Sequence, residues 1–167
     1  MASFFNILKM RTSKKLNRFL IWWGNLKFAS FVGVTLMFSY FIFIFYLPVA
    51  LFLPARSSSG EIQFFKIIDS IIIAPVLETL IFQALVIYIL DRLLTKKITF
   101  QIAISSFLFG SFHNYNITYI FFGVFLGIVL STAFILYKRK NSWNDAYLAV
   151  VFIHALRNMI AIFIALL

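Results

Sequence analysis

Ala74-Pro75-Val76-Leu77-Glu78-Thr79-Leu80-Ile81-Phe82-Gln83 places a carboxylate inside an apolar run that continues from Ile71 to Leu90. A stretch of that length and character is a membrane helix rather than the half-buried helix of a soluble domain. Ionisable groups in such a setting are costly and mark function by default. Glu78 is therefore the residue around which the chain is read.

The rest of the chain supports a bilayer setting. Of its 167 residues 63% are apolar, and 23 are Phe. At roughly 20 apolar residues per span, this length fits one compact bundle of about five spans with little left for a soluble module. Fifteen Lys and Arg against five acids would point to nucleic acid in a soluble protein. Here the bases fall in short segments between apolar runs, so they are topology signals and contacts for anionic headgroups, and no nucleic acid is expected as a partner. The absence of Cys excludes disulfides, thiolate metal sites and a Cys nucleophile.

The expected fold class is all-α, a polytopic membrane helical bundle. Residues 1–27 carry Lys9, Arg11, Lys14, Lys15, Arg18 and Lys27 among apolar residues, which predicts a basic amphipathic interfacial helix with Trp22 and Trp23 at the headgroups. Residues 28–167 then form a single transmembrane domain. Phe28 to Leu53 is the first span, and Leu53 to Gly60 a loop rich in Pro and Ser. Pro75 predicts a break, with a fresh helix running to Leu90 and Glu78 one turn into it. Ile98 to Phe112, Ile117 to Tyr137 and Trp143 to Leu167 complete the count, separated by Asp91–Lys97, His113–Asn116 and Lys138–Lys140, with Ser142 and Asp145 as a capping box. A cytoplasmic N-terminus puts every basic cluster inside and the C-terminus outside, as a multi-pass cell-membrane protein. Gly123, Gly127 and Ser131, with Ser106 and Gly110 in the preceding helix, form small-residue faces for close helix contact.

Depth locates a site. Measured from the basic end of each helix, Glu78 lies about 20 Å up, His113 about 22 Å, His154 about 16 Å and Asn158 about 22 Å. His154 and Asn158 are four apart and share a face. A carboxylate, two imidazoles and a carboxamide at one level suit the activation of water for attack on a carbonyl, with the carboxylate taking the proton and N–H donors receiving the oxyanion. Isolated polar residues in spans more often act as interhelical hydrogen-bond glue, and this is the competing reading. Glu78, His113 and His154 also make up a possible His₂Glu zinc set, ranked second because no local His-Glu-x-x-His pair is present. A transporter ranks lower still, since neither repeated halves nor a continuous polar path is visible.

At these residues the chain resembles the CPBP family, the membrane-embedded CAAX proteases and bacteriocin-processing enzymes, also called ABI, which includes the Ras-converting prenyl proteases. The resemblance is carried by Glu78-Thr79-Leu80-Ile81-Phe82-Gln83, by Phe109-Gly110-Ser111-Phe112-His113 and by His154-Ala155-Leu156-Arg157-Asn158. It implies a glutamate-dependent endopeptidase without covalent intermediate or cofactor, acting on a peptide or membrane-protein substrate. Glu78 and His113 would activate water, and His154 and Asn158 would form the oxyanion site. The family usually has a second Glu where this chain has Thr79 and an Arg where it has Gln83, so a neutral pair replaces an ion pair at i and i+4. Arg157, three residues after His154, is either a replacement positive charge or a side chain snorkelling to the outer interface. The alternative function is a non-proteolytic binding protein, a bacteriocin self-immunity factor or a scaffold of another membrane protein.

Overall fold

The computed structural model describes the backbone of residues 14–52, 64–114 and 116–166. Among these residues the chain is six helices without a strand: α1 (Lys14–Gly24), α2 (Phe28–Phe52), α3 (Phe65–Leu94), α4 (Ile98–Phe112), α5 (Ile117–Lys140) and α6 (Trp143–Ala165). The all-α membrane bundle is the observed class. By length and composition α3, α5 and α6 can each cross a membrane, whereas α4 and the Phe28–Phe41 part of α2 are shorter apolar helices. Residues 1–13 of the expected interfacial helix and the expected loop at Leu53 to Gly60 lie outside the described residues.

α5 is the axis of the bundle and touches each of the other five helices. Its Leu126, Val129, Leu130, Ala133 and Phe134 are all buried, while the Leu, Ile and Phe side chains on the outer faces of α3, α4 and α6 stay exposed. An apolar exterior of this extent belongs in lipid, where hydrophobicity no longer distinguishes inside from outside and packing decides the core. The α4–α5 seam illustrates this. A Cβ added to Gly123 would lie 2.8 Å from the Gly110 Cα, and one on Gly127 would lie 2.9 Å from the Ser106 Cα. Small residues therefore let the two backbones touch, as their spacing predicts.

Helix ends follow local chemistry. Ser142 and Asp145 form the expected capping box on α6, with Ser142 Oγ accepting from the Asp145 N–H at 3.1 Å and Asp145 accepting from the Ser142 N–H at 3.0 Å. Asn116 Oδ1 caps α5 by accepting from the Tyr119 N–H at 2.8 Å. At the basic end Asp91 gathers Lys96 at 3.4 Å, Lys138 at 4.0 Å and the Gln101 amide at 3.2 Å, tying α3, α4 and α5 together.

Two expectations are corrected. Trp22 is exposed, but Trp23 is buried, its indole N–H donating to Thr35 Oγ1 at 3.1 Å. Adjacent residues on a helix point about 100° apart, so Trp22 faces outward while Trp23 packs on Phe31 and Phe38. Pro75 does not break the helix. Ile73 and Ala74 keep helical angles, and α3 runs on through π-helical turns at Asp69–Ile73, Thr79–Leu85 and Leu90–Leu94. A π turn shifts the backbone ladder from i−4 to i−5 and so accommodates a residue that brings no donor.

Candidate active site

Glu78 projects from α3 between two wide turns, three residues after Pro75, with its side chain 18% exposed. His113 is the residue on which α4 ends. Its N–H donates to the Gly110 carbonyl at 3.0 Å, and its ring turns back so that Nδ1 lies 2.8 Å from the Phe109 carbonyl. A carbonyl only accepts, so the Nδ1 proton is fixed there and Nε2 presents its lone pair. That Nε2 stands 4.0 Å from Glu78 Oε2. From α6, the buried His154 brings its own Nε2 to 3.7 Å from the same oxygen.

One carboxylate oxygen thus faces two imidazole nitrogens from two other helices. Phe109 is the wall between them, its ring centroid 4.7 Å from that of His113 and 5.7 Å from that of His154. Tyr119 stacks on the outer face of His113 at 6.5 Å. Room for the His113 ring depends on Gly123, whose added Cβ would come within 3.3 Å of it. The small-residue face of α5 therefore has a second effect, seating an imidazole as well as packing a helix.

Asn158 sits one turn beyond His154 but is turned toward α3. Its Nδ2 donates to the Ser70 carbonyl at 2.9 Å, and its Oδ1 accepts from Arg157 Nη1 at 3.3 Å. Arg157 does not snorkel. It is buried, with its guanidinium 4.7 Å from the Phe122 ring centroid and 5.9 Å from that of Tyr40. Aromatic faces are favourable surroundings for a buried cation, which explains why it turns inward. Tyr40 also donates its hydroxyl to the Arg157 carbonyl at 2.8 Å.

Thr79 and Gln83 are both completely buried. Among the described residues neither the Thr79 hydroxyl nor either end of the Gln83 amide has a hydrogen-bond partner, and the two do not bond each other. The same holds for His154 Nδ1. With Nδ1 enclosed and Nε2 directed at a carboxylate, the His154 proton is best placed on Nε2.

The structure thus brings Glu78, His113 and His154 together, sets Asn158 and Arg157 beside them, and keeps Thr79 and Gln83 in the packed face of α3. Among the described residues no group of three His, Asp or Glu is arranged to hold a metal ion. Tetrahedral zinc with bonds of about 2.0–2.1 Å holds its ligand atoms roughly 3.4 Å apart, closer than the two separations measured from Glu78. Residues that sequence reasoning missed are Ser70, Tyr147 and Tyr40, which join α6 to its neighbours through backbone carbonyls. Ser70 left one trace, standing five residues before Pro75.

No curated protein and no solved structure matches the chain. A family model does, the Type II CAAX prenyl endopeptidase Rce1-like family, over residues 60–160. That match covers more than half of the 167 residues and contains Glu78, Thr79, Gln83, His113, His154, Arg157 and Asn158. The chain belongs to the Rce1-like family of CAAX prenyl endopeptidases, membrane proteases whose substrates are peptides or proteins.

Proposed function

We propose that the chain is an intramembrane endopeptidase in which Glu78 and His113 activate a water molecule and His154 and Asn158 receive the oxyanion. The observation that carries this reading is the Glu78 carboxylate facing two imidazole Nε2 atoms at 4.0 and 3.7 Å. Both gaps are too long for direct hydrogen bonds, and a gap of this size between polar groups is one that a water molecule bridges.

The water oxygen attacks the scissile carbonyl carbon while its proton passes to Glu78, and His113 Nε2 accepts its second hydrogen and fixes its direction. The carbonyl π electrons move onto oxygen, where the His154 Nε2–H and the second amide hydrogen of Asn158 meet the developing charge. Collapse of the tetrahedral species breaks the C–N bond, and the proton held by Glu78 passes to the leaving amine. No group of the protein becomes acylated. The substrate is a peptide or a membrane-associated protein, and no cofactor takes part.

The topology of this reading is five spans with the N-terminus cytoplasmic and the C-terminus outside, α1 lying on anionic headgroups. Glu78→Ala and His113→Ala each abolish substrate processing without changing insertion or abundance, whereas processing by both variants at the wild-type rate would sink the proposal. Chelator treatment leaves activity unchanged. Loss of activity that zinc restores would favour the His₂Glu metal reading. The second reading, a non-proteolytic immunity factor or scaffold, draws on the neutral Thr79 and Gln83, and it predicts that biological function survives Glu78→Ala.

A further inference from the structure

We infer that Arg157 is a positioning residue that fixes which end of the Asn158 carboxamide faces the substrate, an inference that rests on the oxyanion role proposed for Asn158. A carboxamide has two ends of nearly equal shape and opposite use. Its N–H₂ can donate to an oxyanion, whereas its carbonyl oxygen would repel one. An oxyanion site built on Asn therefore needs something that forbids the flipped amide. Two contacts do this. The Ser70 carbonyl can only accept, and it lies 2.9 Å from Asn158 Nδ2. The Arg157 guanidinium can only donate, and its Nη1 lies 3.3 Å from Asn158 Oδ1. Flipping the amide would set oxygen against oxygen at Ser70 and N–H against N–H at Arg157. With one Nδ2 hydrogen on Ser70, the second is left for the oxyanion.

Arg157 is itself built into place. Among the described residues it is the only buried Arg or Lys, and a cation buried in a span is costly enough to need a purpose. Adjacent residues on a helix point about 100° apart, so a side chain at 157 meets the one at 158 only if it is held against the helix surface. Phe122 of α5 and Tyr40 of α2 hold it, their ring centroids 4.7 and 5.9 Å from the guanidinium carbon. The Tyr40 hydroxyl also donates to the Arg157 carbonyl at 2.8 Å. At 3.3 Å the contact to Oδ1 is a long hydrogen bond, so its effect is mainly electrostatic. A positive charge at the amide oxygen, among aromatic rings rather than water, draws electrons from Nδ2 and makes its second hydrogen a stronger donor.

The test uses the full chain purified in detergent, as wild type, Arg157→Met, Asn158→Ala and the double variant. Met fills much of the same space and removes the guanidinium. The first readout needs no substrate. In chains isotope-labelled at asparagine nitrogen, the side-chain N–H₂ resonance that Asn158→Ala removes belongs to Asn158, and Arg157→Met moves it upfield. An unmoved resonance overturns the positioning role. Should Arg157→Met fail to accumulate, Arg157→Gln, whose uncharged side chain is too short to reach Oδ1 in the same way, takes its place with the same expected shift.

The second readout rests on the proposed proteolysis. Its substrate is a membrane peptide that accumulates in cells carrying Glu78→Ala, found by mass spectrometry. Arg157→Met lowers kcat by about 10- to 100-fold with KM little changed, as expected when a transition-state donor is displaced. In the Asn158→Ala background the same substitution lowers kcat by less than about threefold, because the group it acts through is gone. Equal losses in both backgrounds show Arg157 acting as packing or on the substrate directly, and overturn the inference. If wild type and Glu78→Ala yield identical peptide sets, the proteolytic reading fails, and the amide resonance still decides whether Arg157 fixes the carboxamide.

Discussion

The α4–α5 seam and the buried face of α3 occupy the same bundle and obey different rules. Between α4 and α5, glycines bring backbones together, and Ser105, Ser106 and Ser131 have partners. Ser105 Oγ donates to the Phe82 carbonyl at 2.7 Å and lies 2.6 Å from Ser131 Oγ, and Ser106 donates to the Ile102 carbonyl at 2.6 Å. On α3 the helix widens repeatedly, and Thr79 and Gln83 are buried with no partner among the described residues. Buried polar groups normally find partners because leaving one unpaired costs about 1–3 kcal/mol. One region is thus optimised for packing, and the other keeps a cost beside the residues read as catalytic. The difference teaches where stability and chemistry are divided in this fold.

Glu78→Gln is the sharpest way to separate the two. It preserves shape and hydrogen-bonding capacity but removes the base, so processing falls by about 10²- to 10⁴-fold while the unfolding midpoint and cellular abundance hold. A matching fall in abundance would show that Glu78 belongs to the packing after all. Gly110→Leu is the converse. Its Cβ would lie 2.5 Å from the Val124 backbone nitrogen and 2.8 Å from the Ile120 carbonyl oxygen, and backbone cannot yield as a flexible side chain does. The expected cost is about 3 kcal/mol, the upper part of the overpacking range, read as a lost or much lowered unfolding midpoint.

The same division explains what could be read from residues alone. Hydropathy and basic segments located α5 and α6 closely, because Lys138–Lys140 ends one helix and Ser142 with Asp145 begins the next by local chemistry. The stripe at Gly123 and Gly127 was legible for a similar reason, since spacing of four fixes a helix face. The co-location of Glu78, His113 and His154 followed from a constant rise per residue, which survives errors of a turn. What failed depended on partners distant in sequence. Asn158 shows no tie to α3 until its amide is found on the Ser70 carbonyl, 88 positions away. Arg157 has no inward preference until Tyr40 and Phe122 surround it.

Gln83→Leu tests the cost carried by α3. The amide is fully buried and has no partner among the described residues, so an apolar side chain of similar volume removes an unmet desolvation penalty. The variant gains about 1 kcal/mol, a rise in unfolding midpoint of about 2–4 °C. A loss instead would show that the amide is satisfied and that α3 follows the rule of the other seam.

The smallest effect belongs to Ser105→Ala, and it tests that rule from the opposite side. Ser105 joins three helices, because its hydroxyl meets the α3 carbonyl of Phe82 and the α5 hydroxyl of Ser131. Near Phe82 the α3 ladder is displaced, with the Val86 N–H going to the Ile81 and Gln83 carbonyls, so the serine meets a carbonyl that this N–H has passed over. Hydrogen bonds between membrane helices average about 0.6 kcal/mol and reach about 1.7 at most. Ser105→Ala should lie near the average of about 0.6 kcal/mol, and Ser131→Ala should cost less because Ser105 then keeps its bond to Phe82. If both cost the same and the double variant costs their sum, the hydroxyls act independently. A double variant no worse than Ser105→Ala would show a single coupled unit, with the wide turn of α3 held by the tight seam beside it.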